Sequence, residues 1–139
     1  MALNTILDGG TVHGCACHAM EHELSAYYDI THGHGLAIVT PRWLTYILDE
    51  NTAPAIARLG VNVFGVAEQA DAMAGARAAI QALSDFCFKT LGLKPALSDL
   101  SIDGQHFKAM AEHACAGGSI TGPKELHPAD VEAIYKLCL

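Results

Sequence analysis

Positive charge is scarce in this 139-residue chain: 8 Lys and Arg stand against 15 Asp and Glu, for a formal charge of -7, and no stretch gathers the cations into a patch. A phosphate backbone or an anionic lipid surface would be repelled, so no nucleic acid and no membrane are expected as partners. Long apolar runs are missing too. Segments such as Leu36 to Val39 stop far short of the roughly 20 residues that a bilayer-spanning helix needs. The five cysteines are odd in number and have no framework spacing, and no leading stretch has the charged, apolar, small-residue order of a secretion signal. These features predict reduced thiols and a cytoplasmic protein. Aromatic residues make up only 6%, but apolar residues reach 51%, enough to build a globular core largely from Ala and Leu. At this length the expectation is one helical domain covering 1–139.

Period-two alternation bounded by turns, the mark of a half-buried strand, is hard to find, and helical spacing recurs instead. The predicted fold class is therefore all-α, a helical bundle. Met73, Ala76, Ile80, Leu83, Cys87 and Leu91 repeat three or four residues apart, which predicts a helix from about Ala70 to Leu91 with Gly92 as its stop. Pro41, whose missing N–H is harmless in a first turn, reads as opening a helix that carries Trp43, Leu44, Ile47 and Leu48 and ends near Glu50. Further helices are predicted at about Ala53 to Phe64, Gln105 to Ala116 and Ala129 to Leu137, the last announced by Pro128 and Asp130. The stretch from Gly117 to Pro128 reads as a surface loop. Leu3 to Leu7 is an apolar run that reads as the end of an element whose start is missing.

Histidine, in contrast, is abundant. Of eight in the chain, His13, His18, His22, His32 and His34 fall within twenty-two consecutive residues. His18 and His22 are four apart, so on a helix from about Cys15 to Tyr27 their imidazoles lie one turn apart on the same face. Neutral imidazole is a common metal ligand. Gly33 and Gly35, flanking His34, predict a sharp turn that would bring His32 back toward the first helix. An isolated pair four apart is as well explained by a polar helix face; the clustering of five is what points to a metal.

The run His18-Ala-Met-Glu-His22-Glu-Leu-Ser-Ala-Tyr-Tyr-Asp-Ile-Thr-His32-Gly33 resembles the signature of the iron-containing, group III alcohol dehydrogenases. In that signature two histidine ligands stand fourteen residues apart and the second is followed by Gly, as here. The likeness is to the NADPH-dependent butanol dehydrogenase branch, and it continues through Gly35 to Pro41, Trp43 to Leu48, Ala57 to Phe64, the Leu93-Lys94-Pro95 turn and Pro128 to Tyr135. It implies the C-terminal helical domain of that family, with His18 and His32 as metal ligands and His22 beside the metal as a catalytic proton carrier. It further implies Fe2+ as the metal, Zn2+ as a possible occupant, and hydride transfer between NADP(H) and a primary alcohol or aldehyde. His34 departs from the family text, where a small or apolar residue is expected, and its imidazole is expected to compete for or perturb the metal.

The family completes its site with an upstream Asp and His spaced D-x-x-x-H. No Asp in this chain has a His four residues later, and Asp103-Gly104-Gln105-His106 is one residue short. Gly117-Gly118-Ser119 is not led by an apolar strand and so does not read as a phosphate turn. The resemblance thus implies that the nucleotide-binding domain is absent and that the isolated chain, with two imidazoles for a metal that wants more, is inactive as a dehydrogenase. Apolar area left uncovered by the missing half would favour a homo-oligomer. Two rival readings remain: His18-Ala-Met-Glu21-His22 also fits the H-x-x-E-H zinc peptidase pattern, in which the Glu activates water, and the chain could be a non-catalytic helical interaction module. Cys15-Ala16-Cys17-His18 lacks the two-residue spacing of haem attachment and reads as small packed side chains.

Overall fold

A computed structural model describes residues 15–139. These form six α-helices: α1 (Ala16–Tyr28), α2 (His32–Ile47), α3 (Ala53–Phe64), α4 (Ala72–Asp85), α5 (Phe107–Ala114) and α6 (Pro128–Leu137). A π-helical turn, Phe86–Thr90, extends α4, and a 3-10 turn, Ser98–Leu100, precedes α5. The chain is all-α, with one isolated bridge between Ile120 and Leu126 among the described residues. Leu3 to Leu7 and His13 lie outside them.

Where local chemistry sets an element, the sequence-based boundaries are close. α3 occupies the expected span, with Pro54 in its first turn and Gly65 beyond its last. The φ of 65° at Gly65 turns the chain so that the Val66 N–H reaches back to the Gly60 carbonyl at 3.1 Å, a conformation that a Cβ would disfavour. α4 starts two residues later than expected because the Asp71 side chain caps it, accepting from the N–H groups of Met73 (3.0 Å) and Ala74 (3.3 Å). α5 is shorter than expected at both ends. α6 is led by Pro128, and the Asp130 carboxyl accepts the His127 N–H at 2.8 Å.

Three expectations need correction. Pro41 does not open a helix; α2 starts at His32 and runs through it. One backbone bond, to the Ala37 carbonyl, is forfeited there, and burial of Pro41 with Ile38, Val39, Leu44 and Ile47 on one stripe offsets that loss. Gly33 and Gly35 consequently lie in the first turn of α2. The chain reverses earlier, just after Asp29, which adopts a left-handed φ of 52°. The loop from Gly117 to Pro128 is not wholly a surface feature either: Ile120 and Leu126 exchange backbone hydrogen bonds of 2.9 and 3.0 Å, and both side chains are buried.

α2 is the hub, packed against α1, α4 and α6, while α1 also meets α5, α5 meets α6, and α3 pairs with α4. Met20 and Leu24 of α1, Ile38 and Val39 of α2, Phe107 and Met110 of α5, and Val131 and Ile134 of α6 belong to one buried apolar cluster. Tyr135, buried in its midst, donates its hydroxyl to the Met20 carbonyl (2.7 Å), and its ring centre lies 5.2 Å from that of Phe107. Burial pushes the Tyr135 phenol strongly upward, so it stays a proton donor. α6 thereby anchors the helix that carries His18 and His22. No described helix is long and apolar enough to cross a membrane, and Cys17, Cys87, Cys115 and Cys138 form no disulfide.

Candidate metal centre

Two consecutive helices build the cluster. α1 presents His18 and His22 one turn apart, and the reversal after Tyr28 places His32 at the very start of α2, where it faces back toward them. Ring centres lie 5.4 Å apart for His18 and His32, 5.5 Å for His22 and His32, and 6.1 Å for His18 and His22. Two imidazoles bound to one tetrahedral ion through about 2.1 Å bonds put their ring centres about 5 Å apart. Both pairs that include His32 fit that spacing. The His32 side chain is 47% exposed, so the cluster is open to solvent.

Beneath the rings lies a group that the sequence reading passed over as a site residue. Glu21 is 0% exposed. Its Oε2 contacts His32 Nδ1, and its Oε1 accepts from the Ser25 hydroxyl at 2.6 Å. The Ser25 hydroxyl also lies 3.1 Å from the Ile30 carbonyl, on the loop that leads into His32. Glu21, His22 and His32 offer ligand atoms that all lie within 4.8 Å of one another. The signal in the sequence is the Glu inside the H-x-x-E-H text, where the peptidase pattern makes it a water-activating group; buried from solvent and hydrogen-bonded at both oxygens, Glu21 is not placed for that role.

The remaining candidates fall elsewhere. His34 does not join the cluster; its Nε2 lies 2.9 Å from the Lys94 carbonyl and ties α2 to the loop that follows the π-helical extension of α4. His106 packs near Tyr27 and Tyr28, and His113 lies 3.5 Å from Glu23. Cys17 packs against the core, and burial pushes its thiol up to about 11, the opposite of what a thiolate ligand requires. A cleft of about 440 Å³ between α3 and the segment after it is lined by Pro54, Arg58, Asn62 and Gln69 and holds none of the histidines. Concavity alone does not mark this centre; donor chemistry does.

The profile of the Fe-containing alcohol dehydrogenase family, C-terminal, matches residues 6–139. The chain belongs to that family. NADH-dependent butanol dehydrogenase A of Clostridium acetobutylicum is 40% identical over 138 residues, covering 98% of this chain and 35% of that protein. NADP-dependent alcohol dehydrogenase 3 of Entamoeba histolytica is 36% identical over 112 residues, covering 80% of this chain and 27% of its own length. The crystal structure of NADH-dependent butanol dehydrogenase A from Thermotoga maritima matches with a TM-score of 0.80 and 31% identity, over 99% of this chain and 36% of that one. The chain therefore spans about a third of the length of the curated relatives it matches. The donor atoms that this structure gathers most closely are those of Glu21, His22 and His32, and the His18 ring centre lies 5.4 Å from that of His32.

Proposed function

We propose that residues 1–139 form a single helical domain that contributes metal ligands to an iron-dependent alcohol dehydrogenase, with His18 and His32 as the ligands and His22 as the proton carrier. The reaction is hydride transfer between a nicotinamide dinucleotide and a primary alcohol or aldehyde. The observation that carries the proposal is the convergence of three imidazoles from two helices within ring-centre distances of 5.4 to 6.1 Å. Fe2+ is the assigned metal, and the same imidazoles would take Zn2+. When bound, the metal supplies Lewis acidity to the substrate oxygen. His22 lies on the His18 face of α1 and on the solvent side of the cluster, where its imidazole can take the hydroxyl proton of an alcohol or return it to an aldehyde. The likeness of the motif to its branch supports NADP(H); the clostridial and Thermotoga relatives are named for NADH and the Entamoeba relative for NADP.

Two imidazoles are half of a four-coordinate set, and no D-x-x-x-H pair exists in these 139 residues to complete it. The chain alone is expected to show no turnover of butanal with either NADPH or NADH. Turnover that requires the metal, with no added partner, would overturn this. Calorimetric titration with Zn2+, and with Fe2+ under anaerobic conditions, tests the ligand assignment. His18→Ala and His32→Ala should each weaken binding at least tenfold and His22→Ala much less; loss with His22→Ala but not with His18→Ala would move the ion to the Glu21, His22 and His32 group.

A cytoplasmic setting is the assigned location, on the odd cysteine count without framework spacing. Self-association also has a specific observation in its favour. The Phe64 and Phe86 rings lie 6.4 Å apart on the α3–α4 side, and Phe86 and the neighbouring Val63 are exposed. An apolar patch of this kind favours a homo-oligomer; gel filtration across a concentration series should show it, and a Val63→Lys, Phe86→Lys pair should shift it toward the monomer.

A further inference from the structure

Among the described residues Glu21 is the one acidic side chain in the buried set, and the hydride chemistry proposed above leaves it without a task. We propose that Glu21 is the positioning residue of the metal centre and not a ligand: it accepts the Nδ1 proton of His32 and so leaves the Nε2 lone pair of that ring for the cation. This rests on the metal-site reading above.

A carboxyl group taken out of water is costly unless its oxygens are hydrogen-bonded. Both are, Oε2 by His32 Nδ1 and Oε1 by the Ser25 hydroxyl at 2.6 Å. The backbone makes room for it. Glycine inside a helix is less favourable than alanine by about 1 kcal/mol, but at Gly35 in the first turn of α2 a Cβ would stand 2.7 Å from both Cγ and Oε1 of Glu21. The bare glycine is therefore explained by the carboxyl packed against it.

The chemistry points the same way. A neutral imidazole carries its proton on either nitrogen, and only the other one can bind a metal, so a fixed acceptor at Nδ1 settles both the tautomer and the orientation of the ring. The ligand atoms of Glu21, His22 and His32 do come within 4.8 Å of one another. For an ion to use Glu21 Oε2, however, it would have to displace His32 Nδ1 from a group that has no solvent exposure. Acting through His32 requires no such displacement.

The test uses the 139-residue chain with Co2+, read by visible absorption, beside the 15N shifts of the His32 ring in the metal-free protein at about pH 8.5, above the usual imidazole range. Wild type should bind Co2+ and His32→Ala should not. Glu21→Ala and Gly35→Ala, shown to be folded by circular dichroism, should bind about 10–100-fold more weakly. In wild type the His32 proton should sit on Nδ1, and in both variants it should shift toward Nε2. Should Glu21→Ala fail to fold, Gly35→Ala and Ser25→Ala carry the same comparison. Unchanged affinity with an unchanged His32 tautomer in the folded variants would overturn the proposal. Complete loss of Co2+ with the tautomer unchanged would make Glu21 a ligand and overturn it equally. If wild type itself binds no Co2+, the metal-site reading falls, and the 15N measurement still decides whether Glu21 holds the ring.

Discussion

The pairs α1–α2 and α3–α4 both close around glycine, for opposite reasons. Where α3 meets α4, a Cβ at Gly60 would sit 2.6 Å from the Ala79 Cβ, and one at Gly75 would sit 3.0 Å from the Ala57 Cβ. Small apolar groups face small apolar groups, the backbones come close, and dispersion contact is the whole return. Where α1 meets α2, the space freed at Gly35 is filled by the Glu21 carboxyl instead. One device, a missing side chain at a helix contact, yields packing in the first pair and a buried polar network in the second. A glycine at such a contact marks close approach, and the facing residue shows what the approach is for.

The strongest way to break the comparison is Gly60→Val, which drives a branched side chain into Ala79. Overpacking of this kind should cost about 2–3 kcal/mol, a fall in Tm of roughly 10 °C, with the Co2+ affinity of the folded fraction unchanged. Calorimetry and a Co2+ titration on the same sample check this; weaker metal binding in the folded variant would show that the two pairs are coupled.

A smaller effect is expected on the α1 side. Tyr135→Phe removes the hydroxyl donated to the Met20 carbonyl at 2.7 Å, which should lower stability by about 1 kcal/mol. A urea midpoint measures that loss. If α6 holds α1 in register, the variant should also bind Co2+ a few-fold more weakly, and an unchanged affinity would free the metal centre from that anchor.

The smallest effect concerns pH and lies where α2 meets α6. The Tyr46 hydroxyl, 2.7 Å from Asp130 Oδ1, and then the His127 N–H hold the Asp130 carboxyl below its ordinary 3.8. The fold favours the ionised form, so this contribution is complete above 3.8 and is lost as the pH falls through the lower native value. Asp130→Asn should cost only about 0.5 kcal/mol at neutral pH, because the group is largely solvated, and should flatten the fall of Tm on acidification below about pH 4. A Tm series from pH 7 to about pH 2.5 in both proteins reads the difference. An equally steep acid limb in the variant would remove Asp130 from the account.

The elements read well from the sequence were those with local causes. α3 is bracketed by Pro54 and Gly65, the start of α6 is marked by Pro128 and Asp130, and the spacing of His18 and His22 needs only the helical repeat. Pro41 was misread because its helix-start signal is the same whether the ring opens a helix or lies buried inside one. The packing of α2 against α1, α4 and α6 settles which. His34 looked like a competing ligand by proximity in sequence, but its place on α2 turns it toward Lys94. Glu21 was visible as a letter between two histidines, while its burial depends on Gly35, fourteen positions later and on another helix.

By itself the sequence determined the all-α class, the family, and the placing of two imidazoles on one face of α1, because each follows from spacing or from a contiguous motif. Only the tertiary structure decided that His32 turns back to meet them and that Glu21 faces inward beneath its ring. Whether side chains eleven and fourteen positions apart converge depends on how α1 and α2 are held against each other. That arrangement is set by apolar burial among distant residues, Met20 and Leu24 against Ile38, Phe107 and Tyr135, which no local rule contains.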